Sequence, residues 1–531
     1  MNRIFLPCIV LSCATLFFPA DAFSQTASGD DGLYQFSVAN SSDYDFTSFE
    51  LDDNGNYVLK YYKIEFNPEA LSSSVNISWN QVSSTGAQTH SVKISKNRTQ
   101  YFQYIYSTID ATRTLYSTQQ NALNGDVVAD FIVISSNYNN AETNMQNVTS
   151  ITGDFVGNTV SGSLNSGGAI FNAVGDIQTI AGNFIANSSI GYGNGRYGGA
   201  IYNIYSGTIQ NINANFIGNS SIENYNTGAY GGAIDNSFGT IEDITGDFVG
   251  NYSSGVYGNG GAIYNYYGEI SDIIGDFKEN YAYGTDATTG GAISNGLGTI
   301  SNITGNFIGN YVSVASPVSA DRFVYAKGGA IYNNHDGTIS NITGDFIGNY
   351  AKFVTSDGNT AIAYGGAIYN NGIIVLKTTE SKRSILFENN KVITQAGNSA
   401  EIAKLNSINF GYNTAVINID TIANSYVNIR DPMTSYDYYG NSSHDGQINM
   451  SGAGSMYLWG DNSEYGGEIN IYEGDFAALF EEAQDYINDP LGQRTNFSLA
   501  NATINFADGT TFRPMVTDNK IANLGGTVIT G

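Results

Sequence analysis

Short apolar stretches punctuated by glycine and asparagine recur along residues 148–392. The string GGAI begins at Gly167, Gly198, Gly231, Gly260, Gly290, Gly328 and Gly365. The string FxxN begins at Phe155, Phe184, Phe216, Phe248, Phe277, Phe307, Phe346 and Phe387. Between them lies GxIxxIxGDF, clearest at Gly298–Asn306 and Gly337–Asp345. These stretches are too brief for helices, and their Ile and Phe content bounded by Gly and Asn reads as strands, about three per repeat.

The spacing separates a fixed part from a variable one. From GGAI to the next Phe the distances are 17, 18, 17, 17, 17, 18 and 22 residues; from Phe to the next GGAI they are 12, 14, 15, 12, 13, 21 and 19. A constant segment stacks on its neighbours, while a segment of free length is a loop on one side. A single such unit cannot bury its apolar face, so copies stack at about 4.8 Å per coil and align identical residues. Ile201, Ile234, Ile263 and Ile293 are expected in one inward ladder, and Phe216, Phe248, Phe277 and Phe307 in another. The Asn of FxxN is expected to form an amide ladder at a corner. The chain reads as an all-β protein, a right-handed parallel β-helix, with residues 146–392 forming about seven coils over about 34 Å. A β-propeller is the structural rival, but its blades need about 40–45 residues and four strands.

Alternating GGAI and FxxN resembles the repeats of chlamydial-type polymorphic outer-membrane proteins, which are autotransporters. Residues 454–474, running from Gly454 through Trp459 and Tyr465 to Gly474, resemble the passenger-associated transport repeat of that class. The resemblance implies a β-helical passenger carried out through an outer-membrane β-barrel translocator and displayed on a Gram-negative surface, where it meets glycans or proteins of host or neighbouring cells. A barrel needs many alternating strands of about ten residues. The stretch after Gly474 holds none, and Phe476 to Ile487 reads as helix-like, so the barrel is expected outside this chain.

The ends add detail. Arg3, the apolar run Ile4 to Ala20 and the Ala20-Asp21-Ala22 triplet read as a signal peptide spanning residues 1–22. A lipoprotein reading at Cys13 is disfavoured because apolar residues continue past it. Cys8 and Cys13, the only cysteines, both fall within it, which excludes disulfides and thiolate metal sites from the mature protein. Residues 23–145 lack the repeat, alternate like strands around Tyr57 to Glu65, and are expected to cap the open coil edge. Residues 393–531 read as a degenerate continuation of the β-helix. The net charge of −27 disfavours nucleic acid and anionic lipid as partners.

Candidate chemistry is sparse. The residue before each Phe is Asp154, Asn183, Asn215, Asp247, Asp276, Asn306 or Asp345. Asp247 and Asp276 would stand about 5 Å apart, a separation that suits a retaining glycosidase or a Ca²⁺ site. Free exchange of Asp and Asn favours turn capping instead. Two aromatic columns are expected to face outward: Phe171, Tyr202, Tyr264, Tyr332 and Tyr369 after GGAI, and Tyr252, Tyr281, Tyr311 and Tyr350 after FxxN. Their rings suit sugars, though mutual ladder stabilisation explains them as well. The longest variable segments, Val312 to Lys327 and Ala351 to Tyr364, carry Arg322, Phe323, Tyr325, Lys327, Lys352 and Phe353. That basic and aromatic content suits an interface. His90, His335 and His444 match no metal or triad spacing, and no nucleophile or phosphate-loop motif occurs. No cofactor is expected. The reading is an adhesin or structural surface protein; the alternative is a secreted β-helix enzyme acting on polysaccharide.

Overall fold

A computed structural model describes most of residues 167–479 and 497–514. It also describes strands at 34–39, 46–51, 57–66, 75–83, 86–94, 132–134, 521–523 and 528–530, and parts of 146–161. All the described regular elements are strands, and five parallel sheets of 15, 12, 10, 9 and 6 strands run along one axis, the first and the fourth each closed by antiparallel strands at one end. The protein is a parallel β-helix.

One coil shows how the sequence builds it. Ile234–Ser237 forms a strand of the ten-stranded sheet. Phe238 and Gly239 turn the chain into Thr240–Thr245. Gly246, at φ 144°, turns it again into the two-residue strand Phe248–Val249. Gly250 and Asn251 lead to Tyr252–Gly255, and Tyr257–Asn259 returns the chain to the next GGAI. A full coil therefore holds five strands rather than the three expected. The second glycine of each GGAI explains why the first three sides close on themselves. A Cβ on Gly232 would sit 2.0 Å from the Gly261 carbonyl oxygen and 2.5 Å from the Tyr252 backbone, so only glycine lets the two chain segments meet there.

That contact divides each coil in two. Residues from GGAI to the FxxN asparagine form a closed triangle around one core. Its register places Ile170, Ile201, Ile234, Ile263, Ile293, Ile331 and Ile368 on successive neighbouring strands. All seven are fully buried, as are Phe184, Phe216, Phe248, Phe277, Phe307, Phe346 and Phe387. The phenyl rings stack at 4.6–4.9 Å. The 17–18 residue constancy reflects the fixed perimeter of this triangle. The remaining strands leave the triangle and return, forming a two-sheet fin beside it. The fin has its own small core of Ala282, Val312, Val314, Ala326, Ala351, Phe353 and Ala363.

The fin ends where Lys391–Ala396 pairs antiparallel with Ile402–Leu405. Beyond it, with no fin strand among the described residues, the coils continue through Val416–Thr421, Gln447–Gly452, Glu468–Ile471 and Thr503–Phe506 on one side. The facing side carries Tyr426–Ile429, Ser455–Trp459, Asp475–Leu479 and Thr511–Pro514. Phe476 to Leu479 is thus strand, not helix: Phe476 points into the core in register with Met456, and stacking outweighs local propensity. Residues 480–487 lie outside the described residues. At the other end, the antiparallel hairpin Val75–Ser83 and Gly86–Ile94 pairs onto Gln146–Thr152 and covers the first coil edge. Tyr57–Phe66 joins two further strands in a separate antiparallel sheet.

Candidate binding surfaces

Three polar columns run along the axis, and their hydrogen bonds tell their chemistry. The FxxN asparagines from Asn187 to Asn390 are fully buried. Each Nδ2 donates to the Oδ1 of the next coil's asparagine at 2.9–3.1 Å and to a Phe carbonyl of the preceding coil. The backbone N–H of each also donates forward to that same Oδ1. This column needs donor and acceptor together, so only Asn serves. A second amide ladder, unforeseen, runs from Asn172 to Asn370 at 2.8–2.9 Å. Its signal was present, since Asn stands two residues beyond the Ile in each of those copies.

The mixed Asp/Asn column works differently. Oδ1 of Asn183, Asn215, Asp247, Asp276 and Asn306 each accepts the backbone N–H of the next member, and Asp345 accepts that of Leu386. Only an acceptor is required, so Asp and Asn exchange freely; Asp154 lies outside the described residues. The Asp247–Asp276 pair is a set of turn caps. Its remaining oxygens face Lys278 Nζ, at 3.7 Å from Asp247 and 2.8 Å from Asp276. Lys278 is fully buried. Burial raises the Asp247 carboxyl above its usual range, against the pull of Lys278. The lysine occupies the column that holds Val249 and Ile308 in adjacent coils, and the sequence reading passed over it.

Tyr252, Tyr281, Tyr311 and Tyr350 stack at 4.8–4.9 Å and within 2–3° of parallel. The last three are only 7–8% exposed. Each inner ring gives both faces to its neighbours, so this column offers edges rather than the ring faces expected for sugars. The GGAI column is interrupted: Asp235 and Ser294 replace the aromatic residue in two coils. Tyr197 and Tyr230 from the fin fill in, stacking with Tyr202 and against Tyr264 at 4.9–5.2 Å. Asp235 is fully buried here; Ser237 Oγ donates to its Oδ1 at 2.6 Å, and Oδ2 has no hydrogen-bond partner among the described residues. Burial holds this carboxyl well above its ordinary range.

The two long variable segments are not loops throughout. Tyr311–Ser316 pairs in parallel with Tyr350–Thr355 over six residues, and Ala326–Lys327 with Ala363–Tyr364. They stand side by side one coil apart, as the stacking argument required. Their proposed anchors are differently placed. Phe353 is 3% exposed in the fin core, because alternation along Tyr350–Thr355 turns it inward. Lys327 is 1% exposed, with Nζ 4.1 Å from the Tyr325 ring centre and 4.4 Å from that of Tyr369. Burial lowers its ammonium to about 7. Lys352 is half-buried and ion-paired with Glu401. Arg322 and Phe323 lie outside the described residues. Among the described residues no group of His, Cys, Asp or Glu could hold a metal ion, and no helix is long and apolar enough to cross a membrane.

No family model, curated protein or solved structure matches the chain.

Proposed function

We propose that this chain is an exported surface adhesin whose β-helix serves as a rigid mount for the fin. The observation that carries the reading is the six-residue in-register pairing of Tyr311–Ser316 with Tyr350–Thr355. Segments of free length are held side by side on a scaffold of fixed perimeter, which is how binding segments are presented to partners. The resemblance to polymorphic outer-membrane passengers supports export, surface display and a partner among the glycans or proteins of other cells. The enzymatic alternative draws less support, because each carboxylate of the Asp247–Asp276 pair is committed to a backbone N–H and to Lys278.

The test replaces residues 312–327 and 351–364 with the short connection of the Ser221 to Tyr230 type. We expect the far-ultraviolet circular dichroism of a β-helix and a loss of cell binding. A folded variant that adheres as before removes the fin as the site. Polysaccharide turnover abolished by Asp247→Asn or Asp276→Asn would restore the enzymatic reading.

A further inference from the structure

Where the fin ends, the Phe-bearing sheet changes. In the fin-bearing coils up to Phe346–Ile347 its strands are two residues long, as in Phe216–Ile217 and Phe248–Val249, too short to offer an outward row. Beyond the fin they lengthen to Tyr426–Ile429, Ser455–Trp459 and Asp475–Leu479. Val427, Ile429, Met456, Leu458 and Phe476 point inward and are fully buried. Strand alternation then sends Tyr426, Asn428, Ser455, Tyr457, Trp459 and Asp475 outward, in register across three coils. These six line an open cleft of about 390 Å³ together with Ala477 and Leu479. That volume lies within the range of small-molecule sites.

The lining has a particular chemistry. Tyr426 and Tyr457 lie 5.3 Å apart with planes 30° from parallel, so neither ring fully covers the other. Trp459 Nε1 donates to Asn428 Oδ1 at 2.7 Å, and the Arg430 guanidinium sits 5.2 Å from the indole centre. Arg430 is itself held by Glu388. The indole is thus fixed before any ligand arrives, which lowers the ordering cost of binding. Hydrogen-bonding groups of three kinds, the Asn428 amide, the Ser455 hydroxyl and the Asp475 carboxylate, line the cleft with the rings, in register across its three coils. Aromatic surface interleaved with amide, hydroxyl and carboxylate matches a pyranose, which has an apolar C–H face and a rim of hydroxyls. With Asp475 in the cleft and a chain charge of −27, polyanions are repelled.

We propose that this cleft binds a neutral oligosaccharide of a few pyranose rings. The site is separate from the fin and does not rest on the adhesin reading: deleting the fin segments leaves every residue of the cleft in place. Trp459 is one of two tryptophans in the chain, so a W79F protein reports from the cleft alone. Titration with maltotriose, cellotriose and tri-N-acetylchitotriose, one at a time to millimolar concentration, is expected to give a saturable change in Trp459 emission with at least one of them. Tyr426→Ala, at a residue 38% exposed, is expected to keep the thermal melt and weaken that binding about tenfold. Ser455→Tyr, filling the cleft from its rim, is expected to abolish it. Three results overturn the proposal: no response to any of the three sugars, a response that both variants leave unchanged, or a response only to a polyanion or a peptide.

Discussion

The fin-bearing coils and the fin-less coils that follow them solve the same stacking problem with different residues. In the first, the corners do the specifying. Two fully buried asparagine columns and the glycines of GGAI fix where the chain bends, and the strands between are as short as two residues. In the second, the strands specify. Val416–Thr421, and Gln447–Gly452 over its first four residues, alternate half-buried and buried positions. Their amide ladder, Asn418–Asn449–Asn470–Asn505, lies on the outer face and is only part-buried. A solenoid held at its corners must keep its perimeter, which is why 17–18 residues recur. One held by its strands tolerates irregular turns.

This contrast should appear most strongly in the amides. Asn280→Ala removes the donors to Phe248 O and Asn310 Oδ1 and the acceptor for Asn251. It leaves buried peptide groups unpaired and should cost about 4 kcal/mol or more, at 1–3 kcal/mol per orphaned group. The matching Asn449→Ala should cost about 1 kcal/mol or less, since water reaches its partners. Equal losses in urea unfolding would break the comparison. A finer version uses Asp: Asn280→Asp should be nearly as damaging as the alanine variant, because a carboxylate cannot donate. Asn183→Asp, in the acceptor-only column, should change stability by less than about 1 kcal/mol.

The next effect is a pH dependence located between the fin and the GGAI sheet. Lys327 titrates at about 7 in the fold and near 10.4 when unfolded. Between those values the unfolded chain holds a proton that the folded chain lacks, so raising the pH favours folding. Stability should climb from about pH 7 to about pH 10, by up to about 1.4 kcal/mol per pH unit from this group. Lys327→Met should flatten that climb and raise the melting temperature at pH 6. A slope unchanged in the variant would assign the titration elsewhere.

Asp235 should give the smallest change, with the opposite slope. Its carboxyl is raised in the fold, so wild-type stability falls as pH rises above about 4, the unfolded value. Asp235→Ser copies the residue at the equivalent Ser294 and should stabilise the protein by about 1 kcal/mol at pH 7. The gain should shrink as the pH falls toward 4. Thermal melts at pH 4 and pH 7 decide it; a loss of stability at pH 7 would mean that the Ser237–Asp235 hydrogen bond outweighs the burial.

Much of the triangle was legible in the sequence, because identical residues at constant spacing can only be explained by stacking. The Ile, Phe and FxxN ladders all follow from that rule. The fin was not legible. Its strands are as short as Ala326–Lys327, below the length at which alternation is a signal, and variable length read as loop. Val312, Val314 and Phe353 do alternate toward one side, but the fin core is shared between coils and cannot be seen within one repeat. The cleft was missed for a related reason: Tyr426, Tyr457 and Trp459 are brought together by register between two strands that lie outside the GGAI and FxxN repeat. Lys278 was missed because a cation in an Ile/Val column looks like a surface substitution until the two carboxylates beside it are placed.

The long asparagine column also has an electrical sense. Every side-chain amide from Asn187 to Asn390 points one N–H toward the C-terminal end and its carbonyl back, so the small dipoles add head to tail instead of cancelling as strand dipoles do. The N–H end of such a row carries partial positive charge and needs an acceptor that does not itself continue the row. Asp431 meets that need. Its carboxylate accepts from the Asn389 and Asn390 backbone N–H groups and from Asn390 Nδ2 at 2.8–3.0 Å, much as an acidic residue caps the start of an α-helix. An anion at the positive pole lowers the energy of the whole row and, having no hydrogen to pass on, stops it. Asp431 thus works as an electrostatic terminator of the FxxN column, one coil after the fin's last parallel strand.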